Sequence, residues 1–364
     1  MSVYVIAEAG VNHNGDIQLA HRLVDAAADA GADAVKFQTF VPEQLVTHDA
    51  QRADYQKRNQ PGENSQLQML SELALSHNAH SELLAHCQDR NIDFLSSPFD
   101  AQSADFLIDE LQLPLIKLGS GELTNGPLLW QLGKSDRRLI LSTGMANLEE
   151  IRDALGLLSH AYQTDASQPQ TTDFAGCLDA SILQDRVSLL HCTTEYPCPL
   201  EAVNLRAMDT LAETFGLAVG YSDHTEGIAV SLAAAARGAS VLEKHLTLDR
   251  SMPGPDHAAS IEPTELVALV SGVRSIEQAL GSAVKQPAEV ERKNAAIARK
   301  SLRATSAIAT GGAFTEQNIG AKRPGNGISP MHYWSLLGRT STRDYAIDDL
   351  LDERSATDQG DPVA

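Results

Sequence analysis

Two histidines frame the chemistry that this chain can do. His224, in Ser222-Asp223-His224-Thr225, and His245, in Glu243-Lys244-His245, each close an apolar run. Neutral imidazoles are common ligands for borderline divalent metals, and two protein ligands leave positions for water and a substrate oxygen, as a Lewis-acid site requires. Histidines that only hydrogen-bond within polar loops show the same spacing, so both readings stand at this point. Lys36, Lys117 and Lys244 close further apolar runs. A lysine so placed serves an anion, a Schiff base or a structural ion pair. Ser97, Ser120, Ser142 and Ser222 add small hydroxyl donors with glycines nearby. Singly they say nothing; together they describe a ring suited to a phosphate or carboxylate. Glu8 and Glu122 are carboxylates that move protons if partly desolvated, and for Glu8 a buried ion pair with a neighbouring lysine is the other reading. In the turn Gly254-Pro255-Asp256-His257, Asp256 either holds a sugar hydroxyl or caps the turn. Tyr196, in Thr193-Thr194-Glu195-Tyr196-Pro197, offers an aromatic pocket wall. Arg323, in Lys322-Arg323-Pro324-Gly325-Asn326-Gly327, carries a planar fork that fits a carboxylate or a polar sugar.

The runs that end on these residues repeat. Eight short β-branched segments stop at Glu8, Lys36-Phe37-Gln38, Ser96-Ser97, Lys117, Ser142, His191-Cys192-Thr193, Ser222-Asp223-His224 and Glu243-Lys244-His245, and a helical stretch follows nearly every one. Strand then helix, eight times, predicts an α/β fold of the (β/α)8 TIM-barrel type, whose active site lies where the strands end. Asp16 reads as the N-cap of a first helix with Ala20, Leu23, Val24, Ala27 and Ala28 on one face, ended by Gly31. Residues 41–64 read as a polar loop too long for a plain connection, the kind that forms lids or arms. Helix is expected from Gln66 to Arg90, broken around Asn78, and from about Pro263 to Leu280. A Gln/Thr/Asp-rich insertion between Ala161 and Asp185 is expected at the surface. The barrel is assigned to residues 1–281, a polar linker to 282–300, a small second domain to 301–351, and a disordered tail to 352–364.

Bulk properties narrow the classes. At 364 residues the chain exceeds the ~250 of a barrel by about a hundred. A net charge of −20 argues against nucleic acid or an anionic membrane as a partner. It leaves room for an anionic substrate met by a few lysines in a concave site. No apolar stretch approaches the ~20 residues that span a bilayer, and no basic leader precedes the first strand, so no signal peptide is expected. Four scattered cysteines without CxxC spacing fit a reducing cytoplasm.

Taken together, these motifs resemble the bacterial sialic acid synthases, which carry a C-terminal antifreeze-like (SAF) domain. The resemblance runs from Val3 to about Leu351. It rests on Ala7-Glu8-Ala9-Gly10-Val11-Asn12-His13-Asn14-Gly15, Val35-Lys36-Phe37-Gln38-Thr39, Ser97-Pro98-Phe99, Gly119-Ser120-Gly121-Glu122, Leu141-Ser142-Thr143-Gly144-Met145, Tyr221-Ser222-Asp223-His224-Thr225, Glu243-Lys244-His245, Gly254-Pro255-Asp256-His257 and Lys322 to Gly327. It implies condensation of phosphoenolpyruvate with N-acetylmannosamine, releasing phosphate. The runner-up acceptor is a 2,4-diacetamido-trideoxyhexose, giving legionaminic acid. The resemblance also implies a divalent metal on His224 and His245, Mn2+ first, with Mg2+ or Co2+ as alternatives. It implies phosphoenolpyruvate on Lys36, Lys117, Ser97, Ser120, Ser142 and Ser222. Thr194 stands where the family has an Asn or a small hydroxyl. Gln38, Tyr196 and Asp256 would hold the amino sugar, and Glu8 and Glu122 would handle protons. Arg323 would reach the site of a partner subunit in a domain-swapped homodimer. Two other readings compete: a Schiff-base aldolase using Lys117 or Lys244, and an idle sugar-binding protein.

Overall fold

Eight parallel strands alternate with helices through the first part of the chain. They are β1 (Tyr4–Gly10), β2 (Ala34–Thr39), β3 (Asp93–Pro98), β4 (Leu115–Leu118), β5 (Arg138–Ser142), β6 (Val187–His191), β7 (Ala218–Asp223) and β8 (Val241–His245). The structure is a computed structural model and describes residues 2–59, 65–352 and 356–357. The strands pair in the order β3-β2-β1-β8-β7-β6-β5-β4, and β3 lies against β4, so the sheet is a nearly closed barrel of the TIM type. The chain divides into two compact units, Met1–Gly281 and Ser282–Ala364.

Side chains alternate across a strand, and this sorts each strand into three destinations. Outward residues such as Val5, Ala7, Val35, Phe37, Ile116, Leu118, Leu139, Leu141, Leu189 and Tyr221 pack under the helices. Inward residues Ile6, Ala34, Leu95, Ile140, Leu190 and Val241, with Leu115 beside them, form a separate apolar layer. Two residues further along each strand stand Glu8, Lys36, Ser97, Ser142, Cys192, Glu243 and Lys117, which open into a cavity. The polar site therefore rests on an apolar plug built from the same strands.

The helices obey local signals. Asp16 accepts from the Gln18 amide at 2.8 Å and starts Ile17–Asp29, which buries Ala20, Leu23, Val24 and Ala27. Asn147 and Glu150 form a reciprocal cap on Leu148–Gln163. The helix expected from Gln66 to Arg90 is two helices, Gln66–Leu73 and His77–Asp89. Each starts at its own serine cap, Ser65 or Ser76, so the break falls ahead of Asn78. Within the stretch expected to be a polar loop are two short helices, Pro42–Leu45 and Asp54–Asn59. Its apolar residues Leu45 and Val46 join Met69, Leu70 and Leu73, Val11, Phe40 and Phe99 in a small cluster of their own. The insertion after Ala161 folds back: a Cβ on Gly156 would come 1.8 Å from the Phe174 carbonyl oxygen.

In the second unit β9 (Ser301–Ala304) pairs antiparallel with β10 (Ile319–Lys322), over a core of Leu302, Ile308, Phe314, Ile319, Leu336 and Tyr345. The stretch read as a linker carries a helix, Glu289–Ala298. Of the tail expected to be disordered, all but Asp352 and the strand Ala356–Thr357 lies outside the described residues. Among the described residues, no helix is long and apolar enough to cross a membrane.

Gly220 occupies the β7 place in the plug. A Cβ there would meet the Val241 carbonyl oxygen at 2.2 Å and Leu190 Cδ2 at 2.7 Å. Backbone cannot yield as a side chain does, so Gly220→Ala should lower unfolding stability by about 1–3 kcal/mol. Denaturant midpoints of wild type and variant check this; an unchanged midpoint would contradict the plug.

Candidate active site

The strand tips surround a cavity of about 410 Å³, within the range of small-molecule sites. Glu8, Lys36, Gln38, Ser97, Lys117, Ser120, Glu122, Ser142, Thr194, Tyr196, Ser222, His224, His245 and Asp256 all line it. Strand register explains the convergence. Glu8 pairs with Lys36 across β1 and β2, Gln38 with Ser97 across β2 and β3, and Ser222 with Glu243 across β7 and β8.

Buried charge forms the floor. Lys36 Nζ lies 2.5 Å from Glu8 and 3.7 Å from Glu243, and Lys117 Nζ lies 3.1 Å from Glu243. Lys36 also donates to Ser97 Oγ at 3.2 Å, and Ser222 donates to Glu243 at 2.8 Å. The two carboxylates differ in state. Burial drives Glu8 up to about 7, against the pull of Lys36 and with a further push from Glu243. Burial also raises Glu243, but Lys117, Lys36 and the Ser222 hydroxyl outweigh it and hold Glu243 well below the usual carboxylate range. The floor near neutral pH thus carries two cations, one fixed anion and one titrating carboxyl. Beside it the hydroxyls close in: Ser120 and Thr194 lie 3.1 Å apart. Gly144 permits this, because a Cβ on it would come 2.7 Å from each of those oxygens. Ser142 Oγ is buried without a hydrogen-bond partner among the described residues. A hydroxyl of this kind in a cavity lined by two lysines is a donor set for an oxyanion.

His224 and His245 stand together, ring centroids 5.5 Å apart. Nδ1 of His224 donates to the Thr193 carbonyl at 2.6 Å, which turns Nε2 into the lone-pair nitrogen facing the cavity. His245 Nδ1 is buried with no hydrogen-bond partner, 4.0 Å from Asp256. Burial holds both imidazoles neutral, His224 at about 4 and His245 well below its usual value. Two neutral imidazoles, one unsatisfied, fit a divalent cation that takes its other ligands from water and substrate. No cluster of three or more His, Cys, Asp or Glu suited to a metal occurs among the described residues. Tyr196 lies over His224 at 4.1 Å between centroids. Asp256 is buried and pushed up to about 6 by that burial. Glu122 is half-buried on the turn Ser120–Glu122, accepts from Asn125 at 2.7 Å, and is raised by burial.

Two sequence candidates fall elsewhere. Lys244 is absent from the cavity lining. It sits between Glu243 and His245, so it points to the opposite face of β8, where its Nζ meets Asp223 at 3.1 Å and the Thr225 carbonyl at 2.5 Å. Burial lowers its ammonium despite Asp223, a usual mark of a Schiff-base lysine, but it has no access to the cavity. Its work is structural. Asp223 also accepts from Thr225 and Ser231 and so fixes the backbone on either side of His224. Arg323 lies on the second unit, exposed just after β10. Conversely, Glu243, Cys192 and an apolar wall of Val46, Met69, Leu70 and Leu73 line the cavity without having been candidates. Period-two alternation with His245 was the available signal for Glu243. The wall had none, because its residues come from the stretch between β2 and β3, away from the strand tips.

The NeuB family model matches residues 23–285. The chain belongs to this family. It is 48% identical to the N,N'-diacetyllegionaminic acid synthase of Campylobacter jejuni, over 96% of this chain and 98% of that one. It is 43% identical to the protein of the same name from Legionella pneumophila, over 93% and 90%. Among solved structures, the N-acetylneuraminic acid synthetase of Leptospira borgpetersenii, in complex with citrate, superposes with a TM-score of 0.68 at 31% identity, covering 81% of this chain and 90% of that one.

In this NeuB-family barrel, Glu8 should register as a pH-dependent stability term. Its folded pKa, about 7, lies above its free value of 4.5. The stability it contributes is complete below the free value and is lost as pH rises through about 7. Glu8→Gln cannot titrate. In substrate-free, chelated buffer, wild type should therefore lose stability relative to Glu8→Gln between about pH 5 and about pH 8. Parallel denaturation curves at both pH values would rule out the raised carboxyl.

Proposed function

We propose that the protein is an N,N'-diacetyllegionaminic acid synthase, which condenses phosphoenolpyruvate with a 2,4-diacetamido-trideoxyhexose and releases phosphate. The observation that carries the acceptor is the identity, 48% and 43% over nearly full length, to two enzymes of that name. The first acceptor expected from sequence, N-acetylmannosamine, keeps its support at the level of the family, through the sialic acid synthetase structure. The two legionaminic relatives favour the runner-up.

The site residues take roles consistent with this reading. Lys36 and Lys117, with Ser97, Ser120, Ser142, Ser222 and Thr194, bind the phosphate and carboxylate of phosphoenolpyruvate. Tyr196, Gln38 and Asp256 position the amino sugar. His224 and His245 hold a divalent cation, Mn2+ by preference, which when bound supplies Lewis-acid polarisation of the sugar aldehyde. In the reaction a bond forms between the phosphoenolpyruvate methylene carbon and the aldehyde carbon. Water adds at the carbon that bears phosphate, and the bond to the phosphate oxygen breaks. Glu8, poised near neutrality beside Lys36, and Glu122, raised by burial, take up and return the protons of these steps. The lysines stay pinned by Glu243 as the phosphate leaves. The proposal also assigns the second unit as the antifreeze-like domain, with Arg323 reaching the sugar in a second copy of the chain; its exposure supports this.

A phosphate-release assay tests the function directly. Phosphoenolpyruvate with the diacetamido-trideoxyhexose and manganese should give the highest kcat/KM, N-acetylmannosamine a lower one, and phosphoenolpyruvate alone none. Release without any amino sugar, or an equal rate in chelator, would refute the synthase reading. His224→Ala should abolish manganese binding by titration calorimetry while the circular dichroism spectrum stays that of wild type. Unaltered manganese affinity would remove His224 from the metal site.

A further inference from the structure

One side of the cavity is hydrocarbon. Helix Gln66–Leu73 turns Met69, Leu70 and Leu73 toward it, and Val46, Val11 and Phe99 add to the same surface. Tyr196 and the two histidines, packed ring against ring, line the same cavity from the strand tips. Among the described residues that line the cavity, the cations are Lys36 and Lys117, and both are engaged by Glu8 and Glu243 on the floor. Among the described residues, no cation stands on the apolar wall.

We propose that this wall is the specificity element for the acceptor, receiving the deoxygenated end of the sugar: the methyl group at C6 and the methyl of the acetamido group at C4. The inference rests on the synthase reading above. That reading sets the reacting aldehyde at the histidines, so the far end of the sugar extends away from them across the same cavity. The alternative acceptors differ in what they would place against hydrocarbon. A phosphate at C6 pressed against this hydrocarbon would lose its water there, a large penalty for a charged group. A hydroxyl at C6 would lose a hydrogen-bond partner. A methyl group gains from leaving water, by roughly three- to fivefold in affinity for each group buried. Gln66, which also lines the wall, has a side-chain amide complementary to an acetamido group. The wall thus favours the trideoxy diacetamido acceptor by attraction and excludes a phosphorylated one by desolvation.

The experiment compares two acceptors on one preparation, so that any loss of folded enzyme cancels. The readout is kcat/KM for the diacetamido-trideoxyhexose divided by kcat/KM for N-acetylmannosamine, with phosphoenolpyruvate and manganese saturating. Met69→Gln puts an amide into the buried part of the wall, and Val46→Thr, half-buried and nearly isosteric, changes polarity with little risk to folding. Each should lower the ratio by roughly threefold or more, the value of one methyl contact. An unchanged ratio in both variants, with wild type still preferring the trideoxy acceptor, overturns the wall and leaves the function intact. Wild type that releases no phosphate with the trideoxy acceptor overturns both. Efficient wild-type use of N-acetylmannosamine 6-phosphate overturns the wall by itself.

Discussion

Four charges held out of water at the base of the barrel mouth organise everything above them. Lys36, Lys117, Glu8 and Glu243 are each nearly inaccessible to solvent. Removing one partner from such a buried pair typically costs about 3–5 kcal/mol, because the other is left uncompensated. The pairs do not arise from flexible side chains finding each other. Glu8 faces Lys36 because β1 and β2 are in that register, and Glu243 faces Ser222 because β7 and β8 are. A slip of one residue would send every member to the helix side. The network therefore ties barrel register to the presentation of two ammonium groups, and it does so before any substrate arrives. Preset donors of this kind need no reorganisation when charge moves during a reaction.

The strands that carry the histidines show the same principle on two faces. Ser222, Glu243, His224 and His245 look into the cavity, while Asp223 and Lys244, one residue away from them, pair on the outer face. The outer pair anchors Thr225 and Ser231, and Thr193 fixes the His224 ring from the neighbouring loop. The position of the His224 ring is thus set by contacts outside the cavity lining.

These particulars explain what was legible in the sequence. The strand-tip residues could be read because the barrel fold makes position along a strand equivalent to position in the site. Glu8 as an ion-pair member was legible too, though the sequence could not say that it would share its lysine with Glu243. Lys244 stood open between a site position and a structural ion pair because Glu243-Lys244-His245 offers three chemically capable residues, and only the pleat decides which two face inward. The apolar wall was hidden for a different reason. Val46 sits in a stretch that reads as a polar loop and Met69, Leu70 and Leu73 in one that reads as helix, and their meeting with Val11 and Phe99 depends on tertiary packing. Arg323 belongs to a separate unit, so its role rests on motif similarity and not on placement.

Between Pro42 and Leu73 the described residues contribute no strand to the sheet. Outside that stretch, the polar residues lining the cavity come from the ends of all eight strands or the turns just beyond them. On the proposed reading, the chemistry is scattered through the scaffold, whereas the hydrocarbon surface offered to the acceptor comes largely from one contiguous passage. A new shape for that surface can therefore be reached by substitutions within one short interval, leaving the strand ends as they are.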